Sequence, residues 1–136
     1  CLLLHKQWVS RRRQKVADPA YRWMLSDSFS SHKLAMDNFR KLGLIGYVLK
    51  SKKEVIGYTF GFRLNPDTFC IMLEVCDSGC KGSSEFIFSG FCSRLSGYKY
   101  INTMDDCGLP NLRKSKLSYR PLAEVSNYII QRKQEA

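Results

Sequence analysis

The sequence is poor in the residues that usually declare a mechanism. It holds two histidines, His5 and His32, and both precede the first predicted strand. Cys107, between Asp106 and Gly108, has no histidine near it in sequence, so a covalent cysteine mechanism is not expected. The six cysteines include no C-x-x-C pair; Cys76 and Cys80 are four apart with no second pair to match. A structural zinc site needs about four well-spaced ligands, so no metal is expected. With 44% hydrophobic residues the chain can build a core without a disulfide framework. Reduced, partly buried cysteines are the expectation. No apolar run approaches the roughly 18 residues of a spanning helix. The opening CLLL is too short for a signal peptide. There are no internal repeats and no low-complexity segment.

Acidic residues are also scarce: 12 against 22 Lys and Arg, a formal net charge of +10. That balance suits an anionic partner (RNA, an anionic membrane face or a phosphorylated cofactor) or simply a solvated basic surface. The length of 136 residues fits a single domain spanning 1–136. The chain opens on Cys1 rather than Met, which predicts a fragment of a longer protein, with any targeting segment outside it.

Two helices are predicted first. Leu3, Leu4, Trp8 and Val9 recur at helical spacing over 2–15, with the RRR run at 11–13 as a solvated last turn, the reading favoured over an RNA contact. Asp18-Pro19 breaks that helix. Ser26 or Asp27 caps a second one to about Lys41, with Phe29, Met36 and Phe39 on one face and Gly43 as its stop. The period then changes to that of strands in IGYVLK, EVIGYTFGFRL and TFCIMLEVC, separated by the turns SKK and NPD. A helix over EFIFSGFCSRL, a strand over YKYIN, a short helix entered through Pro110 and a last strand over AEVSNYII complete the order. The class is α+β (often filed as α/β): an antiparallel meander feeding a strand–helix–strand unit, a mixed sheet with helices on both faces.

The element order resembles the GNAT (N-acetyltransferase-like) fold. The stretch YINTMDDCGLPNLRKSKLSYRP is similar to a signature of the phosphatidylglycerol lysyltransferase C-terminal domain family and its uncharacterised bacterial relatives, through Asn102, Asp106, Gly108, Leu112, Arg113, Lys116, Tyr119 and Pro121. The resemblance implies an acyl- or aminoacyl-transferase with acyl-CoA or aminoacyl-tRNA as donor and no tightly bound cofactor. It implies an anionic lipid as a candidate acceptor. It implies a tandem N-terminal GNAT-like domain outside this chain, and a cytoplasmic place at the inner face of a membrane. Tyr119 is the implied general acid.

Two stretches carry candidate chemistry. SGCKGSSE, between a strand and a helix, offers free N–H groups and a positive helix end to an anion through Gly82, Ser83 and Ser84, with Lys81 assisting. It reads equally as a plain turn capped by Ser83 or Ser84. In the other, Asp106 follows a strand end and can hold an ammonium group. Arg113 and Lys116, three apart, share a helix face and can hold a carboxylate, a phosphate or an RNA end, with Asn102 beside them. The alternative is an internal ion pair between Asp106 and Arg113. Direct attack of an amine or hydroxyl on a thioester or aminoacyl ester is the expected chemistry, with Asp106 and Tyr119 as catalytic candidates. A non-catalytic, ligand-binding or tandem-partner role is the alternative.

Overall fold

The computed structural model describes residues 1–126, 128 and 130. They fall into two compact units, Cys1–Asn102 and Thr103–Ala136. The first holds α1 (Leu2–Arg13), α2 (Pro19–Asp37), β1 (Ile45–Ser51), β2 (Glu54–Asn65), β3 (Thr68–Cys76), α3 (Ser83–Arg94) and β4 (Tyr100–Asn102). The second holds α4 (Pro110–Ser118). The meander falls where the branched and aromatic runs predict it.

Three elements differ from expectation. The first helix stops at Arg13, and its basic turn is not simply solvated: Arg11 Nη1 lies 2.5 Å from Asp77 Oδ1, and Arg12 stacks 4.3 Å over Trp8 and donates to Tyr21 Oη at 3.0 Å. The second helix starts at Pro19, not at Ser26 or Asp27. Proline has its φ preset and no N–H to leave unpaired, so it suits a first helical position. Asp18 accepts from the Tyr21 N–H at 3.4 Å, and Ser26 sits inside the helix with its hydroxyl on the Arg22 carbonyl. Asp18-Pro19 therefore begins a helix as well as ending one. The strand expected over 123–130 falls partly outside the described residues, since 127 and 129 are not among them; the described residues of that span form no strand.

The sheet order is β1-β2-β3-β4, with β1–β2 and β2–β3 antiparallel and β3–β4 parallel. Phe60 of β2 stands opposite Leu73 and Gly61 opposite Ile71, so Met72 is one extra residue on β3, a β-bulge. Side chains on a strand alternate faces, and one extra residue inverts that alternation. Ahead of the bulge, Phe69 and Ile71 pack with Phe91 and Leu95 at α3. Beyond it, Val75 packs with Leu4 of α1, Ala35 of α2, and Tyr58 and Phe60 of β2. The helices thus cover both faces: α1 and α2 one, α3 the other.

The bulge depends on Gly61. A Cβ there would lie 1.9 Å from the Cys70 carbonyl oxygen and 2.8 Å from Phe69 Cε1, so the strands meet backbone to backbone. Gly61→Ala is therefore expected to destabilise the fold by about 3 kcal/mol, the upper end of ordinary overpacking costs. Chemical denaturation checks this; a midpoint unchanged from wild type would show that the strands can separate freely there.

Candidate functional site

The first candidate is a fork in the sheet. β4 pairs with β3 only at Thr68↔Tyr100, Phe69↔Ile101 and Cys70↔Asn102. Among the described residues no strand pairs with Ile71–Cys76 on that side. The bulge at Met72 sits just past the last paired residue. An unpaired strand edge presents a row of N–H and C=O groups that bond to an extended, amide-bearing chain. Asn102, the last residue of β4, has its side-chain carbonyl 4.0 Å from Cys70 Sγ.

The loop 77–82 leads from the end of β3 to α3. Asp77 Oδ1 accepts from the Gly79 N–H at 2.9 Å as well as from Arg11, and both hold its carboxyl below the usual range, the backbone bond most. Gly82 takes the left-handed conformation, φ 77°, that glycine adopts without strain, and it starts the helix with no side-chain cap. Of the predicted anion groups, Ser83 is buried and its N–H is taken by the Cys80 carbonyl at 3.2 Å. Gly82, Ser84 and Lys81 are exposed. Neither Ser83 nor Ser84 caps α3. The Ser83 hydroxyl donates to the Asp77 carbonyl at 3.4 Å, and Ser84 Oγ donates to Glu74 Oε1 at 2.7 Å.

Glu74 is the residue that sequence reasoning missed. It is a lone carboxylate in the apolar strand TFCIMLEVC. Val75 lies on the α1–α2 face, so its neighbour Glu74 points to the α3 face, where the Ser84 bond fixes it. Without the bulge it would point the other way. Burial pushes its carboxyl up, the Ser84 bond pulls it down and Glu85 pushes it up again. Burial likewise pushes the Cys76 thiol up to about 12, so the cysteine two residues along stays protonated.

The second unit carries the signature, and its charges largely satisfy one another. Asp106 Oδ1 accepts from the Gly108 N–H at 2.9 Å, and its Oδ2 lies 3.3 Å from Arg113 Nη1. Arg113 Nη2 reaches Glu124 Oε2 at 3.0 Å. Lys116 turns elsewhere. Its ammonium donates to the carbonyls of Thr103, Met104 (3.2 Å) and Asp105 (2.6 Å), bracing the loop from behind. Asp105 Oδ1 accepts from both the N–H and the Sγ of Cys107 at 3.1 Å; that side-chain bond raises the Cys107 thiol and leaves it a poor nucleophile. Met104 (φ 62°) and Cys107 (φ 51°) take left-handed conformations that cost a side-chain-bearing residue about 1–3 kcal/mol each. Tyr119 closes α4 with its N–H on the Lys116 carbonyl at 3.2 Å, and is 43% exposed. The structure thus joins Asp106 to Arg113 and points Lys116 at backbone carbonyls.

Comparison with known proteins agrees with this architecture. A conserved protein of unknown function from Bacteroides thetaiotaomicron is similar, with 32% identity and a TM-score of 0.76 over 90% of this chain and 40% of the other. This chain thus spans about two fifths of that relative's length. A "possible acetyltransferase" from Clostridium difficile 630 has 9% identity and a TM-score of 0.60 over 82% of this chain and 78% of its own. AAC(6')-Iy in complex with the bisubstrate analogue CoA-S-monomethyl-acetylneamine has 9% identity and a TM-score of 0.51 over 79% and 80%. These last two establish a GNAT-like fold. No curated protein matches. The family model described as "Phosphatidylglycerol lysyltransferase, C-terminal" matches residues 2–131. The chain belongs to the phosphatidylglycerol lysyltransferase C-terminal family.

Proposed function

We propose that the chain transfers an acyl or aminoacyl group from acyl-CoA or aminoacyl-tRNA to an amine or hydroxyl acceptor, with an anionic lipid as one candidate acceptor. The observation that carries this is the fork: an open β3 edge, Ile71–Cys76, that starts where β4 pairing stops. A donor arm bearing amide or ester groups bonds to such an edge as a strand would. Its phosphates lie toward the exposed residues Gly82 and Ser84 at the start of α3, with Lys81 beside them. Ser83, whose N–H is already engaged, serves the loop itself. Glu74 takes the proton of the attacking group, since a carboxyl raised by burial is the better acceptor near neutral pH. In the second unit, Asp106, Arg113, Lys116 and Tyr119 remain candidates for substrate binding and proton donation, and Asn102 does so at the end of β4.

A second role has its own support. Arg113 already pairs with both Asp106 and Glu124, and Lys116 is spent on three carbonyls. A signature so satisfied serves as architecture, in a domain that binds a ligand or steadies its tandem partner without catalysing transfer.

Purified full-length protein should gain thermal stability with acyl-CoA esters or with non-hydrolysable aminoacyl-tRNA analogues, because a ligand of the folded state stabilises it by mass action. No shift with either class at millimolar concentration would remove the transfer role. With a responsive donor in hand, Glu74→Gln should cut turnover by about a hundredfold or more and abolish the acid limb of the pH profile, while leaving donor binding intact. Equal turnover in the variant would take the proton-acceptor role from Glu74.

Asp106→Asn and Arg113→Met, singly and together, separate site from architecture. The pair is largely solvent-exposed at Arg113 (56% of the side chain), so as a purely structural bridge it contributes only about 0.2–1 kcal/mol. Coupling seen in ligand affinity, at roughly tenfold or more, would place the pair in the site. Coupling confined to the melting temperature would place it in the architecture.

A further inference from the structure

Two imidazoles are stacked in the core between α1, α2 and β2. His5 is fully buried and His32 is 5% exposed, with ring centroids 3.8 Å apart and planes 18° from parallel. The surrounding hydrogen bonds fix their tautomers. Ser28 Oγ gives its proton to the Leu25 carbonyl at 2.7 Å, so it can only accept from His5 Nε2 at 3.3 Å. The Ser28 carbonyl can only accept from His32 Nδ1 at 2.7 Å. Each neutral ring therefore spends its one N–H on that bond. The other nitrogens, His5 Nδ1 and His32 Nε2, are buried with no partner among the described residues.

The groups facing the pair give a new charge no support. From α1 come Trp8, stacked on His5, and Lys6, whose ammonium rests 5.2 Å over the Phe29 ring. From α2 comes Phe29, and from β2 come Phe60 and the buried, unpartnered Tyr58 hydroxyl. No carboxylate is recorded against either ring among the described residues. A proton added to either ring would sit on a desolvated atom, beside a second basic ring and with no carboxylate to balance it.

α1 is the element that can leave. Its buried residues are only Leu4 and His5. Its far end is tied by Arg11 to Asp77, which shapes the loop ahead of α3. We propose that the His5–His32 stack is an acid-sensitive latch that seats α1 on α2 and β2, and that protonation releases α1 and with it the Arg11 tether on the 77–82 loop. The latch stands apart from the transfer reaction; only its effect on a donor at that loop rests on the function proposed above.

The direction follows from linkage. Burial, and then His32, hold His5 down at about 4 against an ordinary value of 6.5, and burial also lowers His32. Between those values the released state binds protons that the seated state refuses, so seating is complete above pH 6.5 and weakens as pH falls. His5 alone gives about an 80-fold loss at pH 4.5.

Hydrogen exchange of the full-length protein, corrected for the intrinsic pH dependence of exchange, tests this. Between pH 7 and 4.5, peptides covering residues 2–13 should lose protection by about that factor. Those covering 77–82 should follow, while β2 and β3 stay protected. A His5→Phe/His32→Phe double variant keeps the stacking and should flatten the transition. The idea is overturned if α1 keeps its protection at pH 4.5, if all elements open together, or if the double variant shows the same transition. Should that variant not fold, imidazole NMR of the wild type decides. The latch requires His5 to stay neutral below pH 6 while α1 is seated; a His5 ring titrating near 6.5 with α1 still protected would contradict it.

Discussion

The approach of two backbones at Gly61 and Cys70 sets up everything that follows. With no side chain at Gly61, β2 lies against the Cys70 carbonyl, and the next step along β3 absorbs an extra residue, Met72. That one residue moves β3's apolar side chains from the α3 core to the α1–α2 core and turns Glu74 the other way, toward the start of α3. The same place is where β4 stops pairing. A packing constraint, a change of face and an open edge therefore coincide, and the proposed donor site is built on that coincidence.

Much of this was legible in the sequence. Branched and aromatic runs bounded by SKK and NPD gave the three long strands. Pro110 marked α4, and the Asn102-to-Pro121 run pointed to the family. The bulge was not legible, because Met72 is one apolar residue among several in TFCIMLEVC and alternation cannot be read in a strand buried on both faces. The side that Glu74 faces is hidden for the same reason: it depends on the bulge. The start of α2 is not legible, because Pro after Asp signals a break and a helix entry alike, and only the Asp18 bond to the Tyr21 N–H decides between them.

The candidate residues divide by how much of their bonding capacity is already used. In the loop before α3, Gly82, Ser84 and Lys81 are exposed, whereas the Ser83 N–H is engaged. In the signature loop Lys116 holds three carbonyls and Arg113 holds two carboxylates, around a backbone with two left-handed non-glycine residues. Strain held in place by charge is a common feature of functional loops. The spacing of Arg113 and Lys116 placed both on one helix face; the structure adds that their long side chains part company, one toward acids and the other toward carbonyls.

The fork is the central claim, and backbone amide mapping tests it most directly. In isotope-labelled full-length protein titrated with the donor that stabilises it, the amides of Ile71–Cys76 should shift and gain exchange protection in a period-two pattern, since only alternate residues face an edge. The amides of β1 should stay unchanged. Shifts concentrated away from β3, or a further strand of the full-length protein already paired along Ile71–Cys76 before ligand is added, would contradict it.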